Sequence, residues 1–182
     1  MSDVKLPEGC RLLPLVAHGD ERGTVMEVYR REWTDGDERV QWNVVHSNAG
    51  TLRGVHVHTT RLDYLYVVEG EMWLALYDMR RSSSTFKQSC LVRLAPEVNQ
   101  AAHVPVGVAH GFYFTKPSIT LYGLSSYFSM EDELGCHPDD PALGIEWPGE
   151  ERLLSTRDQK AGTLEEMQQA FDDYLARNGV TA

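Results

Sequence analysis

Two histidines one residue apart, His56 and His58, are followed five residues later by Asp63, and glycines bracket the stretch at Gly50 and Gly70. Imidazole and carboxylate both ligate transition metals and both exchange protons in aqueous chemistry. In an extended strand alternate residues share a face, so His56 and His58 are expected to point the same way. The short Thr59-Thr60-Arg61-Leu62 turn can return Asp63 to that face. The cluster either grips a metal or acts directly on a bound substrate.

The elements that must hold it are short. Candidate strands are Gly23–Tyr29, Val40–Val45, Gly54–His58, Tyr64–Tyr77, Cys90–Leu94, His103–Pro105, Gly111–Phe114 and Ile119–Phe128, with Gly, Pro, Asn and Asp between them. Tyr64–Tyr77 reads as two strands about a turn at Glu69-Gly70-Glu71. Close-spaced short strands of this kind predict an all-β sandwich or barrel. The tail changes period: Thr163 and Glu166 form a capping box, and Leu164, Met167, Phe171 and Tyr174 recur at helical spacing. A single C-terminal α-helix over residues 163–178 is expected, ending near Asn178-Gly179.

With 182 residues, 42% of them hydrophobic and 24% charged, the chain reads as one globular domain over residues 1–182. A net charge of −10 argues against duplex nucleic acid or an anionic membrane surface as a partner. A small anionic ligand remains compatible, because a few arginines in a cleft set the local potential. Cys10, Cys90 and Cys136 form no close pairing motif and read as reduced thiols. The first residues contain no apolar signal core and no apolar run is long enough to cross a bilayer, so a cytoplasmic location is expected.

The spacing Gly50, His56-Val-His58, Asp63, Gly70 resembles the first signature of the cupin superfamily, with Asp in place of the usual Glu. Pro105-Val-Gly-Val-Ala-His110 resembles the second, although its leading Gly and final Asn are here Asn99 and Phe114. On that resemblance His56, His58, Asp63 and His110 are a metal-ligand set. Three imidazoles and one carboxylate suit Fe, Mn, Ni, Co or Zn better than Mg or Ca.

Most of the chain also resembles a narrower cupin family that uses no metal, the dTDP-4-dehydrorhamnose 3,5-epimerases. The landmarks run in order: Asp20-Glu-Arg-Gly23 with Glu27, Gln41-Trp-Asn43, Leu52-Arg-Gly-Val-His56, Val68-Glu-Gly-Glu71, Asp78-Met-Arg80, Pro105 to Phe112, Asp140 to Pro148, and Leu154-Ser-Thr-Arg-Asp158. The resemblance implies a double-stranded β-helix, or jelly roll, that forms a homodimer and takes a nucleotide-sugar substrate. It implies that His56 is the base removing the proton alpha to a 4-keto group, with Asp158 as its dyad partner and Tyr122 as the acid on the opposite face. Arg22, Glu27, Gln41, Asn43 and Arg53 are then substrate-binding residues, and His110 and Glu133 line the pocket.

Three positions depart from that family. Its lysine, seven residues before the glycine of the Gly-Glu pair, is here Asp63; a carboxylate there repels the enolate that the lysine stabilises. His58 stands where glutamine is usual, and Phe128 where a second pocket tyrosine is usual. Three readings follow. The first is an epimerase of a nucleotide-linked 4-keto-6-deoxyhexose that needs no cofactor. The second is a metal-dependent cupin isomerase or oxygenase using His56, His58, Asp63 and His110, in which His56 cannot also be the free base. The third is a catalytically silent sugar-nucleotide-binding protein. Asp63→Lys is expected to preserve or raise a metal-free activity and to destroy a metal-dependent one.

Overall fold

The structure, a computed structural model, describes residues 4–130 and 133–179. The strands among them are β1 (Arg11–Pro14), β2 (Ala17–Asp20), β3 (Gly23–Met26), β4 (Gln41–Ser47), β5 (Leu52–His58) and β6 (Asp63–Glu69). They continue with β7 (Met72–Asp78), β8 (Ser89–Leu94), β9 (Gln100–Val104), β10 (Val108–Phe114), β11 (Ser118–Leu124) and β12 (Glu133–Gly135). Two five-stranded antiparallel sheets result, in the orders β1-β9-β6-β11-β4 and β12-β5-β10-β7-β8, with β2 and β3 pairing as a separate hairpin.

From β4 to β7 each successive strand enters the opposite sheet, and β9 to β12 alternate likewise. That wrapping is the jelly roll expected from the sequence. It also means that residues close in the chain, such as His58 on β5 and Asp63 on β6, face one another from different sheets.

The space between the sheets is filled by one apolar cluster that includes Leu65, Val67, Leu74, Leu76, Val104 and Phe114. On β7 the alternation is regular: Met72, Leu74 and Leu76 belong to this inner cluster, while Ala75 and Tyr77 belong to a second one outside. The second cluster is closed by the C-terminal helix, whose Leu164, Met167 and Phe171 pack over Val55, Val57 and Ala109. A sheet covered on both faces loses the polar alternation that marks a half-buried strand, so its strands read as near-continuous apolar runs.

The helix closing this face spans Leu164–Asn178. Thr163 caps it, accepting from the Glu166 amide while the Glu166 carboxylate accepts from the Thr163 amide, and Gly179 ends it in the left-handed region. The capping box and the apolar face are those read from the sequence. The short strands β1, β2 and β12 carry too little periodicity to be anticipated. The expected strands Gly23–Tyr29 and Ile119–Phe128 stop early, at Met26 and Leu124.

One irregularity sets the site. Between the pairs His110↔His56 and Phe112↔Arg53 the register of β10 and β5 shifts, so β5 carries one extra residue there. Leu52, Val55 and Val57 consequently share the helix-facing cluster, and Arg53 is brought to the side of His56. Gly54 absorbs the shift. Its φ is +109°, and a Cβ there would lie 2.8 Å from Gly111 Cα and from the His110 carbonyl oxygen.

Candidate active site

A cavity of about 270 Å³ opens at one end of the two sheets. His56 and Arg53 reach it from β5, Tyr122 and Asn43 from the opposite sheet, and Glu133 from β12. In the sheet, Tyr122 stands opposite Asn43, and His56 stands between His110 and Gly135. Gly135 is needed in that place: a Cβ on it would meet the His56 ring at 2.9 Å.

The last wall is a loop and a single helical turn, α1 (Thr156–Gln159), which carries Asp158. His56 Nε2 lies 2.7 Å from Asp158 Oδ1. A carboxylate can only accept, so Nε2 bears the proton and the lone pair is on Nδ1. Ser155 holds Asp158 from below: its hydroxyl donates to Oδ2 at 2.8 Å and accepts from the Asp158 amide at 3.1 Å. Burial alone would raise the Asp158 carboxyl, but the His56 hydrogen bond and the Ser155 hydroxyl hold it below the usual carboxylate range. A fixed carboxylate that orients an imidazole and balances its positive charge makes His56 a competent proton acceptor.

Tyr122 faces this base from the other sheet. Its hydroxyl donates to Asp63 Oδ2 at 2.9 Å and lies 3.4 Å from His110 Nε2. Burial and the neighbouring Asp63 charge push the phenol well above its ordinary value, so it stays protonated.

Behind Tyr122 lies a fully buried group. Asp63 Oδ2 is 3.0 Å from His58 Nε2 and 2.8 Å from His110 Nε2. These three residues are close enough to share one metal ion. The His110 Nδ1 lies 3.1 Å from the Val108 carbonyl, which only accepts, so Nδ1 carries a hydrogen. Burial draws His58 below its usual range. At Asp63 burial is overcome by the two histidines, which hold the carboxyl well below the carboxylate range.

His56 is not among the three. It shares a strand face with His58, as the alternation predicts, and Glu133 reaches toward both rings, at 3.5 Å from His56 Nδ1 and 3.8 Å from His58 Nδ1. Its Nε2, however, is committed to Asp158. The four-ligand set expected from the sequence is therefore a three-residue cluster here, with His56 turned toward the cavity.

The other nominated residues divide. Asn43, Arg53 and Glu133 line the cavity, and Gln41 supports its rim, donating to Asn43 Oδ1 and accepting from the Phe128 amide. His110 sits behind Tyr122 rather than in the wall. Arg22 and Glu27 lie elsewhere, exposed near the β2–β3 hairpin and paired with Asp20 and Arg30.

Two charged lining residues were not expected from sequence, Arg61 and Arg157. Both bind Glu133: Arg61 Nη2 donates to Oε2 at 2.8 Å and Arg157 Nη1 to Oε1. Arg157 directly precedes Asp158 and Arg61 lies in the turn between His58 and Asp63, and that proximity is the only signal the sequence carries. Nothing in the spacing of the turn indicates that a fully buried guanidinium emerges from it.

Comparison with known proteins follows the same lines. A family model described as dTDP-4-dehydrorhamnose 3,5-epimerase matches residues 5–166. The chain is 36% identical over 159 residues, covering 82% of itself and 81% of the relative, to a dTDP-4-dehydro-6-deoxyglucose 3-epimerase from Streptomyces sp. It is 32% identical over 171 residues to a dTDP-4-dehydrorhamnose 3,5-epimerase from Streptomyces griseus, covering 88% and 85% of the two chains. Among solved structures it is similar to a 3'-monoepimerase from Streptomyces bikiniensis in complex with dTDP-quinovose, with a TM-score of 0.83, 29% identity and 96% of each chain covered. A Legionella pneumophila 3,5-epimerase in complex with dTDP-4-keto-L-rhamnose gives a TM-score of 0.80 at 30% identity, over 89% of this chain and 96% of that one.

Proposed function

The chain belongs to the dTDP-4-dehydrorhamnose 3,5-epimerase family, and from that premise we propose how its own residues epimerise a dTDP-linked 4-keto-6-deoxyhexose. The observation that carries the reading is the His56–Asp158 pair, 2.7 Å apart and open to a cavity whose far wall is Tyr122.

The substrate proton to be removed is on a carbon beside the 4-keto group. His56 Nδ1 takes it, the C–H electron pair moves to the ketone oxygen as an enolate, and Asp158 balances the new imidazolium. Tyr122, on the opposite side, returns a proton to carbon and inverts it. Arg53, braced by the Ser47 hydroxyl at 3.2 Å, lies at the cavity mouth where a diphosphate can take a guanidinium fork. Asn43 is placed for sugar or base hydroxyls and amides.

Incubation with dTDP-4-keto-6-deoxyglucose in deuterium oxide tests this reading. Proton NMR is expected to show loss of signal at C3, at C5 or at both, with inverted configuration at each labelled carbon. Saturable nucleotide binding with no exchange at either carbon would overturn the epimerase reading and favour the silent binding protein.

The second reading rests on His58, Asp63 and His110. As donors they fit a borderline divalent metal such as Fe, Mn, Ni, Co or Zn. A metal held there would supply Lewis acidity toward a keto oxygen. Against a requirement for it, the Arg61 guanidinium lies 3.1 Å from His58 Nε2, placing a positive charge against the prospective dication. Chelator treatment followed by elemental analysis is therefore expected to leave the exchange rate unchanged. A rate that falls with chelator and returns with metal would transfer the chemistry to the three-residue cluster.

Arg22 and Glu27 are assigned to a homodimer. The region around them presents Val16 and Val25, 64% and 70% exposed, and the edge strand β4 presents Val44 at 61%. Apolar side chains on an open hairpin and a free sheet edge fit a second copy of the chain. Light scattering is expected to give twice the 20.6 kDa chain mass. A fully active monomer would remove Arg22 and Glu27 from the site.

A further inference from the structure

The three departures from the family pattern, separate in the sequence, meet at one side chain. Arg61 Nε is 3.6 Å from Asp63 Oδ1, its Nη2 is 3.1 Å from His58 Nε2, and its guanidinium carbon lies 5.2 Å from the centre of the Phe128 ring. Asp63, His58 and Phe128 stand where the family has lysine, glutamine and tyrosine. A buried guanidinium needs charge compensation, a planar apolar or aromatic face, and acceptors for its fork. Asp63 supplies the charge, Phe128 the aromatic face and Glu133 an acceptor for Nη2, whereas a lysine in place of Asp63 would set a second cation against the guanidinium.

Arg61 is among the most buried of the large side chains, at 2% exposure, yet it lines the cavity beside His56 and Tyr122. Its Glu133 partner is shared with Arg157, so Arg61, Arg157, Glu133 and Asp63 form one ion-pair network that fixes the Arg61 guanidinium at the cavity wall. The base and acid described above leave one requirement unmet. When the alpha proton leaves, negative charge develops on the ketone oxygen, and the site must answer it with a fixed cation or donor.

We infer that Arg61 is the cation that stabilises the developing enolate, having taken over from residue 61 the role that the family's lysine performs from the position of Asp63. The inference rests on the epimerase reading. No bond to Arg61 forms or breaks: the proton goes to His56, the electron pair to the ketone oxygen, and guanidinium N–H groups donate to that oxygen until the carbon is reprotonated. Asp63 is then a positioning residue, turned from the substrate toward Arg61, the two histidines and Tyr122.

The test compares Arg61→Met, Arg61→Lys and the double variant Arg61→Met with Asp63→Lys, each checked for folding by thermal melt. Both kcat and KM are read on the dTDP-4-keto sugar, with deuterium exchange as the measure of the proton step. For Arg61→Met, kcat and exchange are expected to fall together by about 10² to 10³-fold, with KM within a few-fold, the signature of a lost oxyanion donor. Arg61→Lys is expected to fall by about tenfold, keeping the charge and losing the fork. The double variant returns the cation to the family position and is expected to recover at least about tenfold over Arg61→Met.

A folded Arg61→Met with near wild-type kcat would overturn the inference. So would a folded double variant as inactive as the single one. If Arg61→Met does not fold, the double variant decides alone: folded and active supports the inference, folded and inactive overturns it. An inactive wild type would overturn the epimerase reading and the inference with it. An active wild type alongside an equally active Arg61→Met overturns the inference only.

Discussion

Replacing His56 by asparagine is expected to lower kcat by about 10³-fold or more while nucleotide affinity stays within a few-fold. The side chain is 21% exposed to the cavity; its hydrogen bond is to Asp158, and Glu133 Oε1 stands 3.5 Å from its Nδ1. Asparagine leaves that contact and removes the proton-accepting nitrogen. Asp158 retains its Ser155 hydroxyl and amide bonds, and Glu133 retains both arginines, so no charge is left bare in the wall. The loss should therefore appear in chemistry rather than in folding or binding. Deuterium exchange measured beside a dTDP titration separates the two. Exchange within about tenfold of wild type would mean that another group takes the alpha proton, and the His56–Asp158 pair would lose its assigned role.

Asp158→Asn is the companion to that experiment. The amide can present its NH2 to His56 Nε2 and invert the tautomer, which places the hydrogen on Nδ1, where the base lone pair is needed. A fall comparable to that of His56→Asn is the result the dyad requires.

The second large effect is at Asp63, and here the structure reverses the expectation from sequence. Read as a lost family lysine, Asp63→Lys promises restored or increased activity. In the fold Asp63 is 1% exposed, and its carboxylate faces His58, His110 and Arg61 at 2.8 to 3.6 Å. An ammonium in that place sets a second cation against the Arg61 guanidinium and removes the carboxylate that accepts from Tyr122. Reversing the sign of a buried charge among cations costs about 3–5 kcal/mol, which for a chain of this size lowers Tm by roughly 10 °C or more. Loss of activity in Asp63→Lys is accordingly expected to track unfolding. Paired with Arg61→Met, the same lysine no longer faces the guanidinium, and Tm is expected to return toward wild type. A single variant that melts within about 2 °C of wild type would show that the carboxylate does not carry the balance assigned to it.

Much of this protein is local information. Alternating apolar residues place β7, and a threonine three residues before a glutamate starts the C-terminal helix, because backbone geometry and capping act over a few residues. The motifs around His56, Tyr122 and Asp158 are likewise legible in order along the chain, and a family resemblance can assign their roles position by position. What the sequence could not determine is which of these groups meet. His56 and Asp158 are 102 residues apart and are joined only by the docking of a single helical turn on the edge of a sheet. The extra residue in β5 that turns Arg53 to the side of His56 follows no periodicity. Asp63 looked like a metal ligand or a missing cation, because its type and spacing are compatible with both. Only the packing of one sheet against the other decided that it sits among His58, His110, Tyr122 and Arg61. The reason is that a charge buried between sheets takes its meaning from the charges folded around it, and those arrive from distant parts of the chain.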